Sequence, residues 1–195
     1  MARAGDELVN PVTGLRTVFR KTARETSGEL LQVDWIGERG WTTGPDHIHP
    51  RQEERFEVLS GKLGLRVEGA EHFLGEGEVI VAPAGSAHAA WNASSDDEVH
   101  ALIDFRPALR TETAFETLAG LARDGKTNRA GAPSNLLLLA LVLRHFEEEI
   151  FLVRPPLVVQ RVVFGVLARV ARLLGYRAEY AYPYARRSEA SQTVT

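Results

Sequence analysis

His47-Ile48-His49-Pro50-Arg51-Gln52-Glu53-Glu54 and, further along, Pro83-Ala84-Gly85-Ser86-Ala87-His88 are the stretches on which the reading of this chain turns. Together they offer three imidazoles and a carboxylate. In a β-strand, residues two apart share a face, so His47 and His49 are expected to point the same way. Glu54 follows a turn containing Pro50. His88 comes from a separate hairpin, behind Pro83 and Gly85, which suit a tight turn. Neutral imidazoles and a carboxylate suit Fe, Mn, Ni, Co, Cu or Zn. The chain has no cysteine, so thiolate ligands and disulfides are excluded.

Outward from these stretches, short runs of strand character recur: 15–20, 30–36, 56–59, 63–67, 79–81 and 99–105. Ser60-Gly61, Glu68-Gly69, Gly75-Glu76-Gly77 and Ser94-Ser95-Asp96-Asp97 separate them as turns. Many short strands at this spacing suggest a sandwich or barrel. After Pro107 the period becomes helical. Thr113-Ala114-Phe115-Glu116 reads as a capping box, Phe115, Leu118, Ala119 and Ala122 keep helical spacing, and Gly125 is a stop. Ser134 is expected to cap a second helix through about Glu149. Pro155-Pro156 opens a third, Leu157 to Leu174, followed by Gly175. The expected organisation is an N-terminal arm (1–13), a β-barrel (14–107) and a helical C-terminal extension with a polar tail (108–195).

At this point the chain resembles the cupin superfamily. His47, His49, Glu54 and Gly61 fit its first motif, with four residues between His49 and Glu54 and six between Glu54 and Gly61. Gly77, Pro83, Gly85, His88 and Asn92 fit the second at every spacing. One departure is Trp41, which stands where the family often has a glycine six positions before the first histidine. The resemblance implies an all-β jelly-roll barrel, followed here by the α-helical extension. It also implies one divalent transition metal held by His47, His49, Glu54 and His88; a vestigial, metal-free barrel is the alternative. Glu53 could exchange roles with Glu54, but the two point oppositely in a strand, and the gap to Gly61 favours Glu54. Asn92 reads as structural. His72, His100 and His145 read as surface groups, although His100 or Asp104 could line a cavity. Trp35, Trp41, Phe56 and Trp91 read as core or rim, with Trp91 facing away from the metal and Trp41 a candidate contact for a bound small molecule.

Hydrophobic residues make up 44% and charged residues 25% of the 195, which is an ordinary globular composition. No basic stripe with interleaved aromatics appears, so no nucleic-acid partner is expected. Residues 1–7 lack the apolar run of a signal peptide, and a cytoplasmic home is the expectation. The longest apolar run, Leu136 to Leu143, is too short to span a bilayer, which takes about 20 residues. Residues 150–195 hold seven arginines and two glutamates, a net +5, leaving −8 on residues 1–149.

The helix 157–174 is apolar around most of its surface, with Arg161, Gly165, Arg169 and Arg172 on one stripe. Such a helix calls for burial on more than one side. It could pack on the Leu136–Leu143 helix and the barrel, complete a homodimer, or lie on an anionic membrane. Function follows from the site. The leading expectation is a metal-dependent enzyme on a small organic substrate, with oxygenase-type (dioxygenase-like) chemistry and Fe as the metal in that case. Glu54 doubles as a catalytic base. The alternatives are a non-catalytic small-molecule binder, an isomerase, lyase or cyclase, or a scaffold whose helical tail makes the functional contact.

Overall fold

The computed structural model describes residues 2–184. Two antiparallel sheets face each other. The first is ordered β1 (Glu7–Val9), β2 (Arg16–Lys21), β3 (Leu31–Gly37), β10 (Val99–Arg106), β5 (Glu53–Ser60), β8 (Val79–Ala82). The second is ordered β11 (Phe151–Leu152), β4 (His47–Ile48), β9 (Ala87–Asn92), β6 (Leu63–Val67), β7 (Ala70–Leu74). Strand parity sets the inside. In β10, Val99, Ala101, Ile103 and Phe105 are buried, whereas His100 and Leu102 point the other way. In β5, Glu54, Phe56 and Val58 point in, and Glu53 is exposed. One-face burial of this kind pins the register, because a slip of one residue would turn every apolar side chain outward.

Trp35 joins four aromatic rings in the core. Its ring lies 5.6 Å from Trp41, 6.4 Å from Phe56 and 5.9 Å from both Phe105 and Phe115. These edge-on and tilted contacts suit the ring quadrupoles. Phe115 belongs to α1 (Thr111–Arg123), so the first helix closes onto the same core. Gly61 turns β5 into β6 at φ +79°, and a Cβ there would lie 2.4 Å from the Glu98 carbonyl oxygen. Only glycine meets both demands.

The helical part departs from the sequence expectations in three places. α1 starts at Thr111, ahead of the expected capping box, and its N-cap Arg110 makes no side-chain cap bond. The buried Thr111 hydroxyl is instead tied to Gln52, which fixes where the helix begins. α2 (Leu136–His145) is capped by Asn135, not Ser134: Asn135 Oδ1 accepts from the Leu137 and Leu138 amides at 2.8 and 3.3 Å. The Ser134 hydroxyl donates to the Lys126 carbonyl. α2 also ends at His145, not near Glu149, because the chain turns back after Phe146 to build β11 against β4. Helical periodicity carries no trace of this two-residue strand.

The third helix runs as expected, as a continuous rod: α3 (Leu157–Val159), a π-helical turn (Gln160–Phe164) and α4 (Gly165–Leu173). Gly175 follows at φ +83°. The rod meets α2 through Ala168 and Ala171 packed with Leu141. No helix among the described residues is long and apolar enough to cross a membrane.

Candidate metal centre

His47 of β4 lies directly opposite His88 of β9 in the second sheet. Glu54 reaches the same point from β5 in the first sheet, on the face that carries Phe56 and Val58. His49, just past β4, completes the group. The link between the two stretches is a turn. Ser86 N–H donates to the Pro83 carbonyl at 3.0 Å, and Gly85 N–H, at φ +84°, donates to the His49 carbonyl at 2.9 Å. A positive φ at the third residue of such a turn is the glycine position of a type II turn, so the hairpin that delivers His88 is bonded to the loop that delivers His49.

The ligating atoms of His47, His49, Glu54 and His88 all lie within 4.8 Å of one another, and all four residues are buried. The Nδ1 atoms are each turned outward onto a backbone carbonyl: His47 to Pro45 at 3.1 Å, His88 to Ser86 at 3.1 Å, and His49 to Glu149. A carbonyl only accepts, so each Nδ1 carries a proton and each Nε2 is the ring nitrogen turned toward the cluster. Outer hydrogen bonds of this type fix the tautomer of a metal-bound imidazole. Glu54 Oε2 lies 2.9 Å from His88 Nε2 and 3.3 Å from His49 Nε2. Its other oxygen, Oε1, is buried with no partner. Three convergent imidazole nitrogens with one orphaned carboxylate oxygen fit a cation that displaces the Nε2 protons, and nitrogen and oxygen donors of this hardness fit a divalent transition metal. Phe105, 5.8 Å from the His49 ring, and Phe56, 6.4 Å from the His88 ring, wall the group off with apolar surface.

His47 and Glu54 are held in their ligating forms, whereas His88 competes with a proton for its place. Burial pushes the His47 imidazole down to about 3, and the His49 and His88 rings push the same way. It is therefore neutral at pH 7, the form that ligates. Burial by itself would raise the Glu54 carboxyl, but the hydrogen bonds and charges of His49 and His88 outweigh it and hold the group at about 2. Burial lowers His88, and the hydrogen bond and charge of Glu54 more than reverse this, leaving it above the ordinary histidine value.

The remaining candidates lie elsewhere. Glu53 is exposed. Asn92 braces the barrel end, with Nδ2 donating to the Gly37, Glu38 and Asp97 carbonyls. Trp41 is buried in the aromatic core and Trp91 packs outside against Phe73. His72 is exposed. His100 and Asp104 sit on the outward parity of β10, His100 bonded to Asp34 at 3.1 Å and Asp104 to Gln32 at 2.8 Å, so neither lines the interior. His145 is only partly exposed and meets Glu179 at 2.7 Å.

Two contributors escape sequence reasoning. Gln52, fully buried, donates through Nε2 to the Pro107 and Ala108 carbonyls at 2.7 and 3.1 Å, tying the ligand loop to the start of α1. Glu149 contributes its backbone carbonyl to His49 and is stitched in place by β11 on β4 and by Arg51 with Glu148 at 2.8 Å. The helical part thus holds one of the four candidate ligands. A backbone carbonyl has no residue signature, and no sequence signal could have revealed it.

Residues 35–103 match the cupin domain family. Over 88 residues the chain is 34% identical to an oxidoreductase of Arthrobotrys oligospora, a match covering 41% of this chain, and the chain spans about a third of that curated relative's length (34%). Among solved structures, an RmlC-like cupin from Shewanella frigidimarina is similar at 20% identity and TM-score 0.47, covering 57% of this chain and 93% of that one. A predicted oxalate decarboxylase from Thermotoga maritima is similar at 15% identity and TM-score 0.47, covering 55% and 98%. A DMSP lyase from Ruegeria pomeroyi is similar at 29% identity and TM-score 0.37, covering 42% and 40%.

Proposed function

We propose that this chain, whose residues 35–103 match the cupin domain family and are followed by a helical part, is a metal-dependent enzyme acting on a small organic substrate, with oxygenase-type chemistry. The observation that carries this reading is the buried convergence of three imidazole Nε2 atoms on the Glu54 carboxylate, whose Oε1 has no partner. His47, His49, Glu54 and His88 would hold one divalent transition metal. Once bound, a metal with three imidazoles and one carboxylate keeps open positions, polarises a coordinated carbonyl or enolate, and, if iron, supplies dioxygen chemistry. The chain's own residues do the rest. Glu54 would double as the base that takes a proton from a substrate beside it. The Pro45, Ser86 and Glu149 carbonyls keep the imidazoles in the ligating tautomer. Phe56 and Phe105 exclude water and favour an apolar substrate. The oxidoreductase name of the Arthrobotrys oligospora relative supports redox chemistry.

A second reading is a small-molecule binder without turnover. It rests on the same buried group, since a metal and a small ligand can be held beside the Phe56 and Phe105 rings without turnover. Elemental analysis of protein purified without added metal tests the main reading. We expect about one equivalent of a transition metal per chain, lost in His49→Ala. Iron with oxygen uptake on enols or catechols supports the oxygenase. A stoichiometric metal with no oxygen uptake removes the oxygenase and leaves the binder or a non-redox enzyme. No metal after reconstitution overturns the proposal altogether.

A further inference from the structure

The rod of residues 157–173 is held to the rest of the chain along one narrow side. Ala168 and Ala171 pack on α2, and the buried Gln160 donates to the Leu152 and Pro155 carbonyls. The other side carries a continuous apolar row. Val158 is 73% exposed, Val162 63%, Val166 54%, Val170 40%, Leu173 87% and Leu174 64%. Single exposed apolar residues are ordinary, but a contiguous patch of this kind marks an interaction surface.

Arginines flank the row on one side. Arg161, Arg169 and Arg172 line, with Arg144 and His145 of α2, a cleft of about 310 Å³. Arg144 pairs with Glu147, which also lies 4.0 Å from Arg161. Arg169 and Arg172 have no ion pair among the described residues. Residues 150–184 contain five arginines and one acidic residue, Glu179, which is engaged by His145 and Arg110.

We propose that this face docks on an anionic lipid surface, with the valines and leucines at the acyl boundary and the arginines on the headgroups. Charge complementarity selects this occupant over a second copy of the chain. A twofold axis that pairs two such rods antiparallel, apolar row to apolar row, brings both arginine flanks to the same side. The row offers no acidic group to answer them. An anionic bilayer answers all of them, and arginine stems can lie along the apolar boundary while the guanidinium stays with the headgroups. Length fits the same picture. Seventeen helical residues run about 25 Å at about 1.5 Å each, short of the roughly 30 Å hydrocarbon core, so the rod lies along the surface.

The test is sedimentation of the full chain with vesicles of phosphatidylcholine alone or mixed with phosphatidylglycerol, together with light scattering in the absence of vesicles. The chain should sediment with the anionic vesicles, less with the neutral ones, and less again at high salt. R169E/R172E should weaken binding about ten-fold or more, since each basic residue near such a surface contributes measurably. V162Q/V166Q/L173Q should remove it. All five side chains project from the exposed side, so circular dichroism should show both variants folded. The proposal is overturned if the folded chain stays in the supernatant at low salt, if it binds both kinds of vesicle equally, or if binding survives both variants. It is also overturned if light scattering gives two copies that become one in V162Q/V166Q/L173Q, which would assign the face to self-association.

Discussion

Replacing Gln52 with Leu tests whether the ligand loop is anchored to the helical part by one buried amide. Gln52 has no exposed surface. Its Nε2 donates to the Pro107 and Ala108 carbonyls, and its Oε1 accepts from the Thr111 hydroxyl at 3.1 Å. Leucine fills comparable space but bonds to none of them. The Ala108 carbonyl keeps a weak bond from the Thr111 amide at 3.3 Å, whereas the Pro107 carbonyl and the Thr111 hydroxyl lose their partner. Each buried polar group left unsatisfied costs about 1–3 kcal/mol. Two of them, offset in part by the added apolar burial, give a loss of about 3 kcal/mol. For a chain of this size that is a fall in Tm of about 6–12 °C. Thermal unfolding followed by circular dichroism, with and without metal, measures it. A shift below about 2 °C would mean that the loop is held by something other than this amide, and the account of why α1 begins at Thr111 would fail with it.

Three more expectations follow from the same geometry. Glu54→Gln should lower metal affinity by more than about 100-fold, since even outer partners of ligands cost 10–100-fold, while Glu53→Gln on the exposed parity should leave it unchanged; equal effects in a competition titration would refute the parity argument. His88, raised above the ordinary histidine value by Glu54, must give up its Nε2 proton to a metal, so below that raised value affinity should climb about ten-fold per pH unit; a flat affinity between pH 6 and 8 in buffered calorimetry would count against it. Gly61→Ala forces a side chain into φ +79° and to within 2.4 Å of the Glu98 carbonyl oxygen, and should cost about 3 kcal/mol or abolish soluble expression; wild-type stability in urea would show that the turn is not constrained as described.

The local physics of the barrel is written in consecutive residues. Alternation in Val99 to Phe105 tells which side chains face in, and the same parity separates Glu54 from Glu53. Pro83 and Gly85 mark the turn that presents His88. The candidate ligands, the strand-rich first part and the apolar, arginine-flanked third helix could therefore be recognised before any coordinates. Period-2 and period-3.6 patterns, turn chemistry and ligand type are properties of a few neighbouring side chains.

Tertiary structure decided what depends on distant backbone. The start of α1 moved from a good capping sequence to Thr111 because Gln52, 59 residues away, binds its hydroxyl. The end of α2 moved back because residues 151–152 pair with β4. His49 is oriented by the carbonyl of Glu149, 100 residues on, and every residue has a carbonyl, so composition cannot mark the one that matters. The third helix shows the division most plainly. Its apolar character is legible residue by residue, but which face is covered follows from the small seam of Ala168 and Ala171 on α2. Only the assembled chain shows that the valine row is left facing outward.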